Sequence, residues 1–181
     1  ESALTHFRTA LGARKDQTMD DQLATIKLGI GLSIGRNMAS VDEAHQAWDA
    51  LSQVFDYYVE QGDIERAVNV VLYPIPVMMY VSATADLTAR ALELAPRESL
   101  QAGYLLSRRS ASLAYEFGDF EGSRNAAMEA ITIARSENDK ILEARSLAFL
   151  VTPLLTDHRP QDAIKAGLEA VEIASGSDDL E

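Results

Sequence analysis

A chain of 181 residues, 47% hydrophobic and 24% charged, has the apolar material for a packed core and is no disordered tail. With no cysteine it holds no disulfide, thiolate metal site or cysteine nucleophile, and its scarcity of glycine (10) and proline (5) favours helix. A formal net charge of −12, shared by both halves, repels a phosphate backbone; Arg108-Arg109 and Arg14-Lys15 are the only basic doublets, so direct nucleic-acid binding by this segment is disfavoured.

In chain order, residues 1–20 show no sustained apolar stretch and hence no signal peptide. The start at Glu1, already in mid-pattern and without methionine, reads as a segment cut from a larger protein. Thr18 to Asp21 opens an apolar-periodic run that ends near Ile34 and is closed by Gly35. Ser40 and Glu43 form a capping box for a long helix to about Gln61. On it, the spacing of Trp48, Leu51 and Phe55 predicts a core side shared with Tyr58, while Tyr57 points elsewhere. Gly62-Asp63 supplies a stop and a new N-cap.

The longest apolar run, Val70 to Val81, holds two prolines in twelve residues and is too short to span a bilayer as a helix. Within it "YPIP", from Tyr73 to Pro76, predicts a kink or an early helix end; the alternative is a widened groove in which Tyr73 meets a ligand. Ser82 or Thr84 caps the next helix, which stops before Pro96. A further helix runs from about Ser99 to Phe117. Gly118-Asp119 breaks it and caps another reaching about Glu137, Asn138-Asp139 repeats the device, and Pro160 suits the first position of the last helix. No strand alternation is visible outside "YPIPV".

The helices also repeat. Ala10-Leu11, Ala50-Leu51, Ala91-Leu92, Ala130-Ile131 and Ala170-Val171 are spaced by 40, 41, 39 and 40 residues, and Ala95, Ala134 and Ala174 follow four residues behind the last three. Small residues at i and i+4 make a stripe against which a neighbouring helix packs closely. The expectation is an all-α, right-handed α-α superhelix of about four helix pairs plus one N-terminal helix. The pairs fall at about 18–61, 62–95, 98–137 and 138–176, within a single domain.

In "SASLAYEFGDFEGSRNAAMEAITIA" the Gly118-Asp119-Phe120 loop and the small residues Ala111, Ala114, Ser123 and Ala130 stand where tetratricopeptide repeats place theirs; Ala163 and Ala170 do so in the last unit. The chain therefore resembles a tetratricopeptide array, departing from it in a period near 40 rather than 34 and in lacking the usual Trp and Tyr of the first helix. Long units with "GD" and "ND" junctions are similar to the sensor arrays of bacterial maltose-activator-like and LuxR-type regulators, the signal-transduction ATPases with numerous domains. That resemblance implies a cytoplasmic, non-catalytic module binding a protein, a peptide or a small-molecule inducer. DNA and ATP would be handled by domains outside this chain. The alternative is a structural spacer or self-association scaffold.

Carrying the family's groove positions onto this chain points to Asn69 and Tyr73 in the second pair, Arg108, Ser112 and Tyr115 in the third, and Arg145 and Thr152 in the fourth. Arg108 and Arg145 would form a basic strip suited to carboxylates, or else be ordinary solvated arginines. No catalytic or metal residues and no cofactor are expected. His6, His45 and His158 have no convergent partners, and the carboxylate pairs Asp20-Asp21 and Asp42-Glu43 sit where they cap helices. Gly31–Asn37 lacks the Gly-Lys-Ser/Thr ending of a phosphate loop.

Overall fold

The computed structural model describes residues 2–14, 18–36, 40–73 and 82–176. Every regular element among them is a helix: α1 (Ser2–Ala13), α2 (Asp21–Gly35), α3 (Val41–Glu60), α4 (Ile64–Leu72), α5 (Ser82–Leu94), α6 (Leu100–Tyr115), α7 (Phe120–Ser136), α8 (Lys140–Thr156) and α9 (Pro160–Gly176). Their starts follow from side-chain chemistry. Asp20, Ser40, Asp63, Ser99, Asp119 and Asp139 each accept a hydrogen bond from the backbone N–H three residues on. Each such cap contributes about 1 kcal/mol by satisfying an otherwise orphaned donor.

Four junctions share one geometry. Gly62, Gly118, Asn138 and His158 adopt left-handed backbone, with φ of 73, 66, 56 and 57°. The next residue in each case (Asp63, Asp119, Asp139 and Arg159) sends its N–H back 2.9 Å to a carbonyl of the helix just ended. At the three junctions with aspartate, reversing the chain and capping the next helix are thus done by two adjacent residues. Glycine or asparagine was legible as the stop at three of these sites; His158 takes the same backbone without that advantage.

The chain divides into two compact units, Glu1–Leu94 and Ala95–Glu181. In the first, α1 packs on α2, α2 on α3, α3 on α4, and α5 on both α3 and α4. In the second, α6 packs on α7, α7 on α8 and α8 on α9, while α6 also touches α8. This neighbour-on-neighbour packing is that of an α-α solenoid, with α2–α3, α4–α5, α6–α7 and α8–α9 as the pairs and α1 ahead of them.

The alanine ladder falls on the second helix of every pair, and on α1. Ala91 and Ala130 are fully buried, as is Leu51, and Ala95, Ala134 and Ala170 are buried too. Ala50 is half-buried and Ala10 exposed, so the stripe is closed only where another helix lies over it. Trp48, Leu51, Val54 and Phe55 form the heart of the first unit with Leu23, Val68, Val71 and Leu87. Tyr58 joins that side, and Tyr57 turns its hydroxyl to Asp21 at 3.3 Å. The description of α4 ends at Leu72. Tyr73 is extended (φ −53°, ψ 138°), as a residue preceding proline tends to be, and Pro74 to Pro76 lie outside the described residues.

Candidate functional site

In the second unit the first helices of successive pairs, α6 and α8, lie side by side and are tied at two levels. The Tyr104 hydroxyl donates to Asp139 Oδ2 at 3.0 Å, and the hydroxyls of Tyr115 and Thr152 share a hydrogen bond of 3.2 Å. Asp139 is also the N-cap of α8, so one carboxylate starts the helix and fixes its neighbour. Burial, aided by that carboxylate, pushes the Tyr104 phenol up to about 12.

Between these two ties Arg108 of α6 comes beside Arg145 of α8. Burial and the repulsion from Arg145 bring the Arg108 guanidinium down to about 10, still charged at neutral pH; burial also lowers Arg145. The Arg145 guanidinium stands 6.0 Å from the centre of the Phe149 ring. It makes no ion pair with a carboxylate among the described residues, in a chain with 28 acidic side chains against 16 basic ones.

The positions expected to line a groove therefore separate by burial. Tyr115 is 39% exposed, and Arg145 and Thr152 are partly buried. Arg108 and Ser112 lie inside, at 3% and 1% exposure, so Arg108 is no solvated surface arginine. Ten of the sixteen residues of α6 are buried, so polar groups on it are carried inward with the helix. Asn69 is exposed on α4 and Tyr73 is partly buried at its end; both belong to the first unit. The three histidines are exposed.

One turn beyond Ser112, Glu116 was missed by sequence reasoning because it sits at a helix end, where acids are ordinarily solvated. Both its carboxylate oxygens are shielded from solvent and meet no hydrogen-bond geometry with a described residue. Burial pushes the carboxyl up, offset in part by the nearby Ser112 hydroxyl. An acid with a raised folded pKa costs stability once ionised, and that cost disappears as pH falls below its folded value. Glu116→Gln is therefore expected to stabilise the protein at pH 7 by about 0.5–1 kcal/mol, discounted for the residue's partial exposure. Thermal melts should show the gain shrinking to nothing as pH approaches 4.

A second concavity lies where α7, α8 and α9 meet. It has a volume of about 310 Å³, with Ile131, Leu147 and Leu154 in its wall and Arg124, Arg135 and Lys165 among its charged residues. Arg135 there bonds Glu143 at 2.6 Å and Glu169 at 2.5 Å, joining three helices. No group of three or more His, Cys, Asp or Glu side chains that could hold a metal ion occurs among the described residues. No described helix is long and apolar enough to cross a membrane.

Helix pairs with capped junctions, presenting aromatic, hydroxyl and arginine side chains, define a tetratricopeptide-like helical-repeat protein. A family model described as anaphase-promoting complex subunit 5 matches residues 36–156, two thirds of the chain, and the chain belongs to that family. The matched span takes in α3 to α8, including the α6–α8 pair. No curated protein matches the chain.

Proposed function

We propose that this repeat domain binds a protein or peptide on its first-position helices. Asn69 and Tyr73 would contribute in the first unit, and Tyr115, Arg145 and Thr152 in the second, with the buried Arg108 and Ser112 supporting them from behind. The observation that carries the reading is the α6–α8 face. Arg145, with no carboxylate of its own among the described residues, stands between two cross-helix hydrogen bonds and beside a second arginine. An arginine with no carboxylate of its own is well suited to take a partner's anion through charge-assisted hydrogen bonds. Membership in a family named for a subunit of a complex supports a protein partner.

The finer reading follows the likeness to LuxR-type and maltose-activator-like arrays: a cytoplasmic sensor module in a bacterial regulator. It would report a bound protein, peptide or small inducer to attached domains that handle ATP and DNA. Its support is the repeat length and the junction chemistry.

Fluorescence anisotropy against a panel of labelled peptides of varied charge tests the interaction reading. Peptides with carboxylates should bind best, and Arg145→Ala and Tyr115→Ala should each weaken them about tenfold, the size of one lost charge-assisted contact. Binding that both variants leave unchanged would move the surface elsewhere. Turnover of a substrate by the purified chain would overturn the non-catalytic reading.

The scaffold alternative draws on a different face. Ile164, Leu168 and Val171 form an apolar stripe on α9 and are each more than 60% exposed. Concentration-dependent sedimentation that Leu168→Glu abolishes would favour self-association.

A further inference from the structure

The concavity between α7, α8 and α9 shares no lining residue with the α6–α8 face and has chemistry of its own. Ile131, Leu147 and Leu154 wall it and are themselves part of the buried cluster of the last helix pairs. Met128, 54% exposed, stands at its mouth. At about 310 Å³ it lies at the lower end of the range for small-molecule sites, which runs from roughly 300 to 1,000 Å³ and combines apolar walls with a few placed polar groups.

Its lining is richer in cations than the chain as a whole. The lining holds Arg124, Arg135, Arg159 and Lys165 against Asp162 and Glu169, within a molecule of net charge −12. Three of the four cations are held in place by carboxylates: Arg124 by Asp157, Arg135 by Glu143 and Glu169, and Arg159 by Asp162. Lys165 makes no hydrogen bond or ion pair with a described residue, and is left as the free cation of the lining.

A neutral apolar occupant would cover the wall but would desolvate Lys165 without compensation, which is costly. An anion without an apolar body would leave the wall wet. At physiological ionic strength charges more than about 8 Å away are screened, and with the three arginines already paired to carboxylates, Lys165 is the local charge left to meet an anion. We propose that this cavity binds a small amphiphilic carboxylate of medium-chain fatty-acid size, its apolar body on Ile131, Leu147 and Leu154 and its carboxylate on Lys165.

Isothermal titration of octanoate and, separately, 1-octanol into the 181-residue chain tests this. Octanoate should saturate one site per chain, bind at least tenfold more tightly than octanol, and protect the chain against heat. Lys165→Gln should weaken octanoate about tenfold and leave octanol unchanged. Met128→Glu, which puts a carboxylate at the mouth, should weaken octanoate at least as much. Both positions are exposed, so far-UV circular dichroism and the melting temperature of the free protein should stay near wild type. No saturable octanoate binding, equal binding of octanol, or octanoate binding unaffected by both substitutions would each overturn the proposal. Loss of peptide binding in Arg145→Ala with octanoate binding intact would show the two surfaces to be independent.

Discussion

Replacing Leu51 with alanine is expected to lower stability by about 2–5 kcal/mol, the range for emptying a fully enclosed leucine site. Leu51 is 0% exposed, on the same side of α3 as Trp48 and Phe55. Its place exists because α2 carries Gly31 opposite. A Cβ on Gly31 would stand 3.0 Å from Leu51 Cδ2 and 3.1 Å from the Ala47 carbonyl. The leucine can give way a little, whereas the carbonyl is held by its helix. Gly31→Ala alone should therefore cost about 1–3 kcal/mol through overpacking, less the fraction of a kcal/mol that alanine adds to α2 as a helix former. In the double variant the leucine clash is gone and the added methyl takes up part of the void. The two effects should then fall short of additivity by more than 0.5 kcal/mol, the usual error for independent sites. Urea unfolding followed by fluorescence of Trp48, the chain's single tryptophan, reads this core directly. Strict additivity would mean that this glycine–leucine pair does not set the approach of α2 to α3.

How much of this was legible in the sequence depends on how local the chemistry is. Asp63, Asp119 and Asp139 were readable as caps because each acts on an N–H only three residues away. The ladder was readable because close approach of helices demands a small side chain wherever it recurs. The burial of Arg108, Ser112 and Glu116 was not. By type they are surface residues, and what lies on each face of α6 is decided by α7 and α8, which no short window contains. The contacts that bind one pair to the next do carry a signal that was overlooked. Arg90 with Asp56, Arg124 with Asp157, Arg135 with Glu169, Tyr104 with Asp139 and Tyr115 with Thr152 are separated by 33 to 37 residues, a little less than one repeat. Pairing donors with acceptors at that offset would have found the ties between α6 and α8, and Arg135 as a hub.

That hub carries the second large effect. Arg135 Nε meets Glu143 Oε1 at 2.6 Å, another of its nitrogens meets Glu169 at 2.5 Å, and Lys140 Nζ meets Glu143 Oε2 at 2.8 Å. The Glu143 side chain is 5% exposed, while both cations are about half in solvent. Burial alone would raise the Glu143 carboxyl; hydrogen bonds from Lys140 and Arg135 outweigh it and hold the carboxyl below the usual glutamate range. An acid with a depressed folded pKa contributes stability that is complete above its unfolded value, near 4.3, and is lost as pH falls through the folded one. Arg135→Met keeps the apolar stem and removes the charge, leaving a buried carboxylate with Lys140 alone. The cost at pH 7 should be about 1–3 kcal/mol, less than for a fully buried pair because Arg135 is half exposed. Lys140→Met should cost less, since Arg135 would still bond both carboxylates. As pH falls from 7 through the folded value of Glu143, which lies below the usual glutamate range, the carboxylate is neutralised and the melting curves of wild type and Arg135→Met should converge. A constant gap across that range would mean that Arg135 works through the packing of its stem. Convergence would identify the charge as what holds α7, α8 and α9 together around the cavity.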